Sequence, residues 1–492
     1  MSHILALDQG TSSSKALVFS LTGKVLSSAQ HEFDMIFPAD GWVEQDPEVI
    51  WRTTLLAARE ALAAAELSAQ DVDAIGITNQ RETTLVWDRA TGECLHNAIV
   101  WQDRRTAEFC EQMHSDGMRQ TVERTTGLLI DPYFSATKLA WLLDNVDGLR
   151  RKAEQGGLCF GTVDTYLIWR LTNGAVHATD ATNASRTLLY DIEAHAWSEE
   201  LLEYFKIPAG VLPEVRDSAA DYGHADPQWL GAAVPITGVA GDQQAALVGQ
   251  ACFHPGMTKS TYGTGCFAMI NTGDSLVRSH QRLLSTVAYQ LQGRATYALE
   301  GSIFSAGIAV KWLRDELSLV VSAEQTEEAA RRVNGDSGGV YLVPAFTGLG
   351  APHWAAHARA LICGMTLATN RDHLITATLQ SVAFQTQDLI DAMAGDAAGV
   401  AQLRVDGGMV ANDWLCQFLA DVLRMPVERP DITETTALGA AMLAALGAQR
   451  IPDLREAARL WTSERVFEPV MQASYRNELV DGWRQAVERA LR

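Results

Sequence analysis

The chain is first narrowed by what it lacks. No run of eighteen uninterrupted apolar residues occurs, so no membrane-spanning helix is expected. The opening MSHILALDQG has no basic stretch ahead of an apolar core, so no export signal is expected. Seven cysteines are scattered singly with no C-x-x-C pair, which argues against a disulfide or zinc framework and for reduced thiols in the cytoplasm. Basic residues are scarce, 39 Lys and Arg against 60 Asp and Glu, and the formal charge of −21 repels nucleic acid and anionic lipid. Neither is expected as a partner. There is no Walker A loop either, because Gly10 to Lys15 lacks the second glycine.

What remains is ordinary globular composition, 47% hydrophobic and 20% charged, spread over 492 residues. That length exceeds one core and implies two or three domains. The organising stretch is HILALDQGTSSSKALVF, His3 to Phe19. Two short apolar runs, Ile4 to Leu7 and Ala16 to Phe19, flank a polar tip of turn-forming residues. The pattern predicts a β-hairpin whose tip offers N–H groups and the hydroxyls of Thr11, Ser12 and Ser13 to an oxyanion, with Lys15 as the nearby cation. Asp8, at the end of the first strand, is placed to hold a metal ion through water, or simply to cap its own turn.

Further along, Asp46-Pro47 predicts a helix start, followed by helical periodicity from about Glu48 to Glu66. Ala74 to Thr78 and Thr84 to Trp87 predict strands separated by Asn79-Gln80-Arg81-Glu82, and Ile99 to Trp101 repeats the arrangement before Gln102 to Arg105 opens a helix. Val234 to Val239 predicts a strand leading into Gly241-Asp242-Gln243 and a helix. Thr258 to Asn271, turning at Gly263-Thr264-Gly265, again predicts strand, tight turn and strand, as though two related halves made up the chain. Asp406-Gly407-Gly408 predicts a turn before a helix from Asn412, and Asp453 to Arg492 predicts charged helix.

Two motifs are excluded by context. Gly335 to Gly339 matches the loop around a chymotrypsin-type serine, but that fold needs a much smaller, disulfide-bonded β-barrel with a triad histidine, and the context here is a polar turn before a strand. Gly263 to Ala268 satisfies a loose dinucleotide fingerprint, which needs a helix where Cys266 to Asn271 predicts a strand. Other residues admit two readings. Asp242 is a helix N-cap, a general base, or both. Arg81 and Glu82 are a surface ion pair or, lying at a strand end without Gly or Pro, part of a ligand site. Trp101 and Tyr133 are core or rim aromatics, or ligand contacts.

Taken together, GWVEQDP, IGITNQRETTLVW, NAIVWQDRRTAE, GTVDTYLIW, GVAGDQQAALVGQ, STYGTGCF, VPAFTGLGAPHW and LRVDGGMVANDW resemble the FGGY carbohydrate-kinase family from Leu5 to about Ala445. The resemblance implies an α/β chain of two ribonuclease-H-like, actin-like ATPase domains around a central cleft. Residues 1–250 would form the substrate and phosphate side, and 251–492 the nucleotide side. It implies ATP-dependent phosphorylation of glycerol, with ATP and Mg²⁺ required and a homodimer or homotetramer expected. It assigns Arg81, Glu82, Trp101, Tyr133, Asp242, Gln243 and Phe267 to glycerol, with Asp242 catalytic. It assigns Thr11, Ser12, Ser13, Lys15, Thr264, Gly307, Lys311, Gly408 and Asn412 to the nucleotide, and Asp8 to the metal. Lys15 departs from the family's arginine and Lys311 from its glutamine. Two rivals stand beside this reading: a related polyol or sugar kinase, and a non-kinase actin-like ATPase.

Overall fold

A computed structural model describes residues 3–355, 357–397 and 399–492. Two mixed sheets carry the chain. In the first, the order is His224–Ala225, Val234–Gly241, Val72–Asn79, His3–Gln9, Ser13–Ser20 and Val25–Glu32. His3–Gln9 lies antiparallel to Ser13–Ser20 on one side and parallel to Val72–Asn79 on the other. The second sheet runs Leu284–Leu291, Arg294–Ile303, Cys266–Gly273, Met257–Tyr262, Gln402–Asp406, Val427–Pro430 and Ser463–Phe467. Its central strand Met257–Tyr262 repeats the pattern, antiparallel to Cys266–Gly273 and parallel to Gln402–Asp406. The suggestion of two related halves is thus realised as one strand topology used twice.

Both hairpins form where the sequence predicts them, each strand a residue or more longer than the predicted run. The helix after Asp46 spans Pro47–Ala64, and the Asp46 carboxylate accepts the Glu48 N–H at 2.8 Å, as a helix start of that type requires.

Helix Thr435–Gly447 of the second half lies against the strands of the first sheet and crosses helix Asp242–Gly249. One hydrophobic core joins Ile4, Leu17 and Ala74 to Leu247, Val248, Ala440 and Leu443. Close approach depends on small residues: a Cβ on Gly439 would stand 1.8 Å from the Ala245 carbonyl oxygen. The two sheets are therefore tied together by a pair of closely packed helices, and the Arg81–Glu300 ion pair links the end of one to a strand of the other.

Three expectations are corrected. The segment from Asp453 is not continuous helix: helix Leu454–Ala458 is followed by strand Ser463–Phe467, which closes the edge of the second sheet, and then by helix Ala473–Ala490. Gln102 to Arg105 is a turn, and helix begins at Ala107. The Asp103 carboxylate there accepts the Val43 N–H and pairs with Arg105. Helix Asp242–Gly249 has Gly241 as its N-cap, so Asp242 is its first residue and not the cap.

Candidate active site

The first hairpin tip is closed by the Gly10 N–H donating to the Ser13 carbonyl at 2.9 Å. Thr11 Oγ1 accepts the Trp101 indole N–H at 2.9 Å, which ties the tip to an aromatic wall. Ser13 Oγ accepts the Gln30 amide, and the Ser12 side chain is exposed. Asp8 and Lys15 are register partners beneath the tip. Lys15 is not free: its ammonium pairs at 2.5 Å with Glu434, the residue that precedes helix Thr435–Gly447. Burial pushes the Asp8 carboxyl up to about 7, and the charges of Asp242 and Glu434 add to the rise while Lys15 opposes it.

Among the described residues no three His, Cys, Asp or Glu side chains form a complete metal cage. Mg²⁺ seldom needs one, since it takes one or two carboxylates and completes its shell with phosphates and water. Asp8, a buried carboxyl facing the negative charges of Asp242 and Glu434, could supply one such carboxylate once ionised, and a cation there would offset the repulsion among them.

At the ends of Val72–Asn79 and Val234–Gly241 lie the residues expected for the acceptor. Arg81 and Glu82 are 3% and 1% exposed, so the surface ion-pair reading is excluded. Their mutual approach is only 4.0 Å, because each is committed elsewhere. Arg81 makes a bidentate pair with Glu300, Nη1 to Oε2 at 2.5 Å and Nη2 to Oε1 at 3.0 Å, and its Nε stands 3.1 Å from Asp242. Arg186 donates from Nε to Glu82 Oε1 at 2.7 Å and from Nη2 to Glu300 Oε1 at 3.1 Å. Burial raises the Glu300 carboxyl, but Arg186 and Arg81 outweigh it and hold the group at about 2. For Glu82 burial prevails over the same two arginines, and its carboxyl is raised. Glu82 adopts φ +61°, a left-handed backbone that a non-glycine residue holds only where surroundings enforce it. Its carbonyl accepts the Ser135 and Thr84 hydroxyls at 2.9 and 3.0 Å.

Asp242 has a third of its side chain exposed, whereas Arg81 beside it is buried. It is thus the ionisable group of this cluster open to the cleft. Gln243 accepts from the buried Lys259 ammonium, which also donates to Thr261 Oγ1 at 3.1 Å and to the Phe267 carbonyl at 3.2 Å. Trp101 and Tyr133 meet edge to face at 5.6 Å. The loop carrying Tyr133 is clamped by the buried Lys138, whose ammonium donates to the carbonyls of Pro132, Tyr133 and Phe134. Burial pushes Lys138 down to about 8 against the pull of Asp103, Glu82 and Asp131.

Across the cleft, the second tip carries Thr264, whose side chain is exposed and whose carbonyl accepts the N–H groups of Ala306 and Ile308 at 3.1 and 3.0 Å. The Gly307 N–H donates to the Gly263 carbonyl at 3.0 Å, and a Cβ at 307 would lie 2.5 Å from that oxygen. Helix Gly307–Asp315 therefore starts against the tip, with Lys311 exposed one turn along. Gly408 is open, and Met409 beside it lies 3.6 Å from the Cβ position of Gly307. Asn412 caps helix Asp413–Leu423 through Leu415 N–H at 2.9 Å. The structure thus gathers Thr264, Gly307 and Gly408, places Lys311 on the helix rising from them, and gives Asn412 a capping bond. Glu300, Arg186, Lys259 and Glu434 are members of the cleft that sequence reasoning missed.

Models of the FGGY family of carbohydrate kinases match the chain over residues 3–249 for the N-terminal domain and 258–448 for the C-terminal domain. Glycerol kinase of Alcanivorax borkumensis is 59% identical over 490 residues, covering 99% of this chain and 98% of that protein. Glycerol kinase 1 of Pseudomonas aeruginosa is 58% identical, with 99% of both covered. The crystal structure of Plasmodium falciparum glycerol kinase with ADP superposes with a TM-score of 0.93 at 36% identity, covering 100% of this chain and 99% of that one. A xylulose kinase from Lactobacillus acidophilus, at 21% identity and a TM-score of 0.90, shares the fold. The chain belongs to the FGGY family of carbohydrate kinases and has its two-domain, actin-like ATPase fold. Within that family it groups with the glycerol kinases, enzymes that transfer phosphate to an alcohol.

Proposed function

We propose that this chain transfers the γ-phosphoryl group of ATP to glycerol, forming sn-glycerol 3-phosphate and ADP. The observation that carries this reading is the buried Arg81–Glu82 pair set beside Asp242 and the Trp101–Tyr133 wall. Three adjacent hydroxyls on a short carbon chain need donors, acceptors and an apolar surface together. Arg81 keeps one Nη2 N–H beyond its bonds to Glu300, Gln244 and Asp242, and Glu82 has Oε1 held by Arg186, so Oε2 is left to accept a hydroxyl. Trp101, Tyr133 and Phe267 supply the apolar surface, and Gln243, held by Lys259, completes the acceptor side.

Phosphoryl transfer has a loose transition state, so the chain mainly positions reactants and neutralises charge. In this account Asp242 orients the attacking terminal hydroxyl and takes its proton late. The two tips, with Thr11, Ser12, Ser13 and Thr264, cradle phosphates through N–H and hydroxyl groups, while Gly307, Gly408, Lys311 and Asn412 line the rest of the nucleotide side. Mg²⁺ near Asp8 would screen the phosphate charge, which a chain of −21 otherwise repels. Residues 1–250 would act as the acceptor and phosphate domain and 251–492 as the nucleotide domain. Closure of one on the other would exclude water, the competing acceptor.

The reading includes a cytoplasmic enzyme acting as a homodimer or homotetramer. Support for the compartment comes from seven free cysteines and from the absence, among the described residues, of any helix long and apolar enough to cross a membrane.

An ADP-release assay across glycerol, other polyols and sugars tests the function. Release strictly dependent on glycerol, with a phosphorylated triol as product, is expected. Preference for a sugar favours the sugar-kinase rival, and acceptor-independent release favours a plain ATPase.

A further inference from the structure

Five charged side chains meet behind the acceptor residues: Arg81, Glu82 and Asp242, together with Arg186 and Glu300. Four of the five come from the first half. Glu300 alone reaches over from the second, on strand Arg294–Ile303, and both arginines bind it. Arg186 and Glu300 are fully buried, so neither is a rim contact. One guanidinium nitrogen of Arg186, Nη1, is buried and has no hydrogen-bond partner. A charged donor left unpaired in this way is costly in a purely structural cluster.

We propose that Glu300 and Arg186 are positioning residues for the acceptor site, acting through Arg81 and Glu82 on the substrate hydroxyls. The inference rests on the acceptor role proposed above for those two. Glu300 grips the outer edge of the Arg81 guanidinium with both oxygens, which fixes its plane and directs Nε toward Asp242. Arg186 occupies one oxygen of Glu82 and leaves the other for a hydroxyl. Because Glu300 belongs to the second sheet, the acceptor site is complete only when both halves are in register. Substrate affinity is thereby made to depend on the relative position of the two halves.

The test uses the full chain in three forms: Glu300→Gln, Arg186→Gln and the double variant. Removing one member leaves a buried charge uncompensated, so the singles are at risk of unfolding. The double removes one charge of each sign and keeps the net balance. Folding is followed by thermal melting, and glycerol KM, ATP KM and kcat are measured on the same preparations. The folded variants are expected to show glycerol KM raised about 10- to 150-fold, the equivalent of a charged hydrogen bond, with ATP KM within about threefold of the parent. A folded double variant with unchanged glycerol KM would overturn the proposal. So would equal losses toward both substrates, or failure of all three to fold, either of which assigns the cluster to stability alone. The parent enzyme is the control for the reading beneath it: if the parent releases no ADP with glycerol, that reading fails, whatever the variants do.

Discussion

Lys15 Nζ stands 2.5 Å from a carboxylate oxygen of Glu434, a residue 419 positions away in the other half of the chain. The cation beside the first hairpin tip is therefore paired, and a phosphate must compete with Glu434 for it. Both partners are partly exposed, 23% for Lys15 and 41% for Glu434, so solvent weakens the pair and the competition is winnable.

Lys15→Ala should raise the nucleotide KM and lower kcat, while Lys15→Arg, which keeps the charge, should be tolerated. Glu434→Gln should lower the nucleotide KM by about two- to fivefold, the worth of a partly exposed ion pair. Steady-state kinetics at varied ATP decide this. An alanine variant with parental kinetics would show that Lys15 serves Glu434 and not the phosphates.

Arg81→Ala should weaken glycerol binding about 10- to 150-fold while MgATP binding changes little. Calorimetric titration with each ligand separates the two. The prediction assigns to Arg81 a role toward the substrate beyond its pairing with Glu300. Unchanged glycerol affinity would leave it a purely structural member of the buried cluster.

Lys138 makes a pH prediction. Its three bonds to the carbonyls of Pro132, Tyr133 and Phe134 require the ammonium form, since a neutral amine has only two donors. The folded group is held at about 8, and an unfolded lysine titrates near roughly 10.4. Below 8 both states are protonated and the clamp is intact. Between 8 and about 10.4 the unfolded chain binds more protons, so this group's contribution to folding stability grows with pH even as the clamp on Tyr133 loosens. Glycerol KM should accordingly rise above pH 8 with no matching rise in ATP KM, and Lys138→Met should abolish the difference. A flat glycerol KM from pH 7 to 9 would contradict the clamp's role.

Much of this site was legible in order of sequence. The hairpin tips, the Asp46 cap and the strand ends at Arg81 and Asp242 are local patterns of apolar runs, turn residues and caps. Arg81-Glu82 stood out because four polar residues without Gly or Pro are an odd surface turn between two strands. Glu300 and Arg186 gave no such signal. Each is a single charge in a mostly apolar or small-residue segment, and their partners lie 219 and 104 positions away, at Arg81 and Glu82. Lys259 was hidden in the same way inside the strand that leads to the second tip. Strand Ser463–Phe467 carries no strand signal of its own, because most of its residues are polar and exposed. Pairing with Val427–Pro430, which no local pattern announces, decides its conformation.

The most direct test of the account is turnover by Asp242→Asn, measured beside glycerol titration and thermal melting on one preparation. Asp242 is the first residue of its helix and Gly241 is the cap. An amide oxygen at 242 can still accept from the Arg81 guanidinium and the Gln243 N–H, so the fold should be retained, with a melting temperature lowered by the lost charge pairing with Arg81. An amide still accepts a hydrogen bond from a hydroxyl but cannot take its proton. General-base contributions are typically about 10²–10⁴-fold, so kcat should fall by that much while glycerol still binds. A folded variant whose kcat stays within a few-fold of the parent would contradict the assignment of Asp242 as the base and turn attention to Glu82.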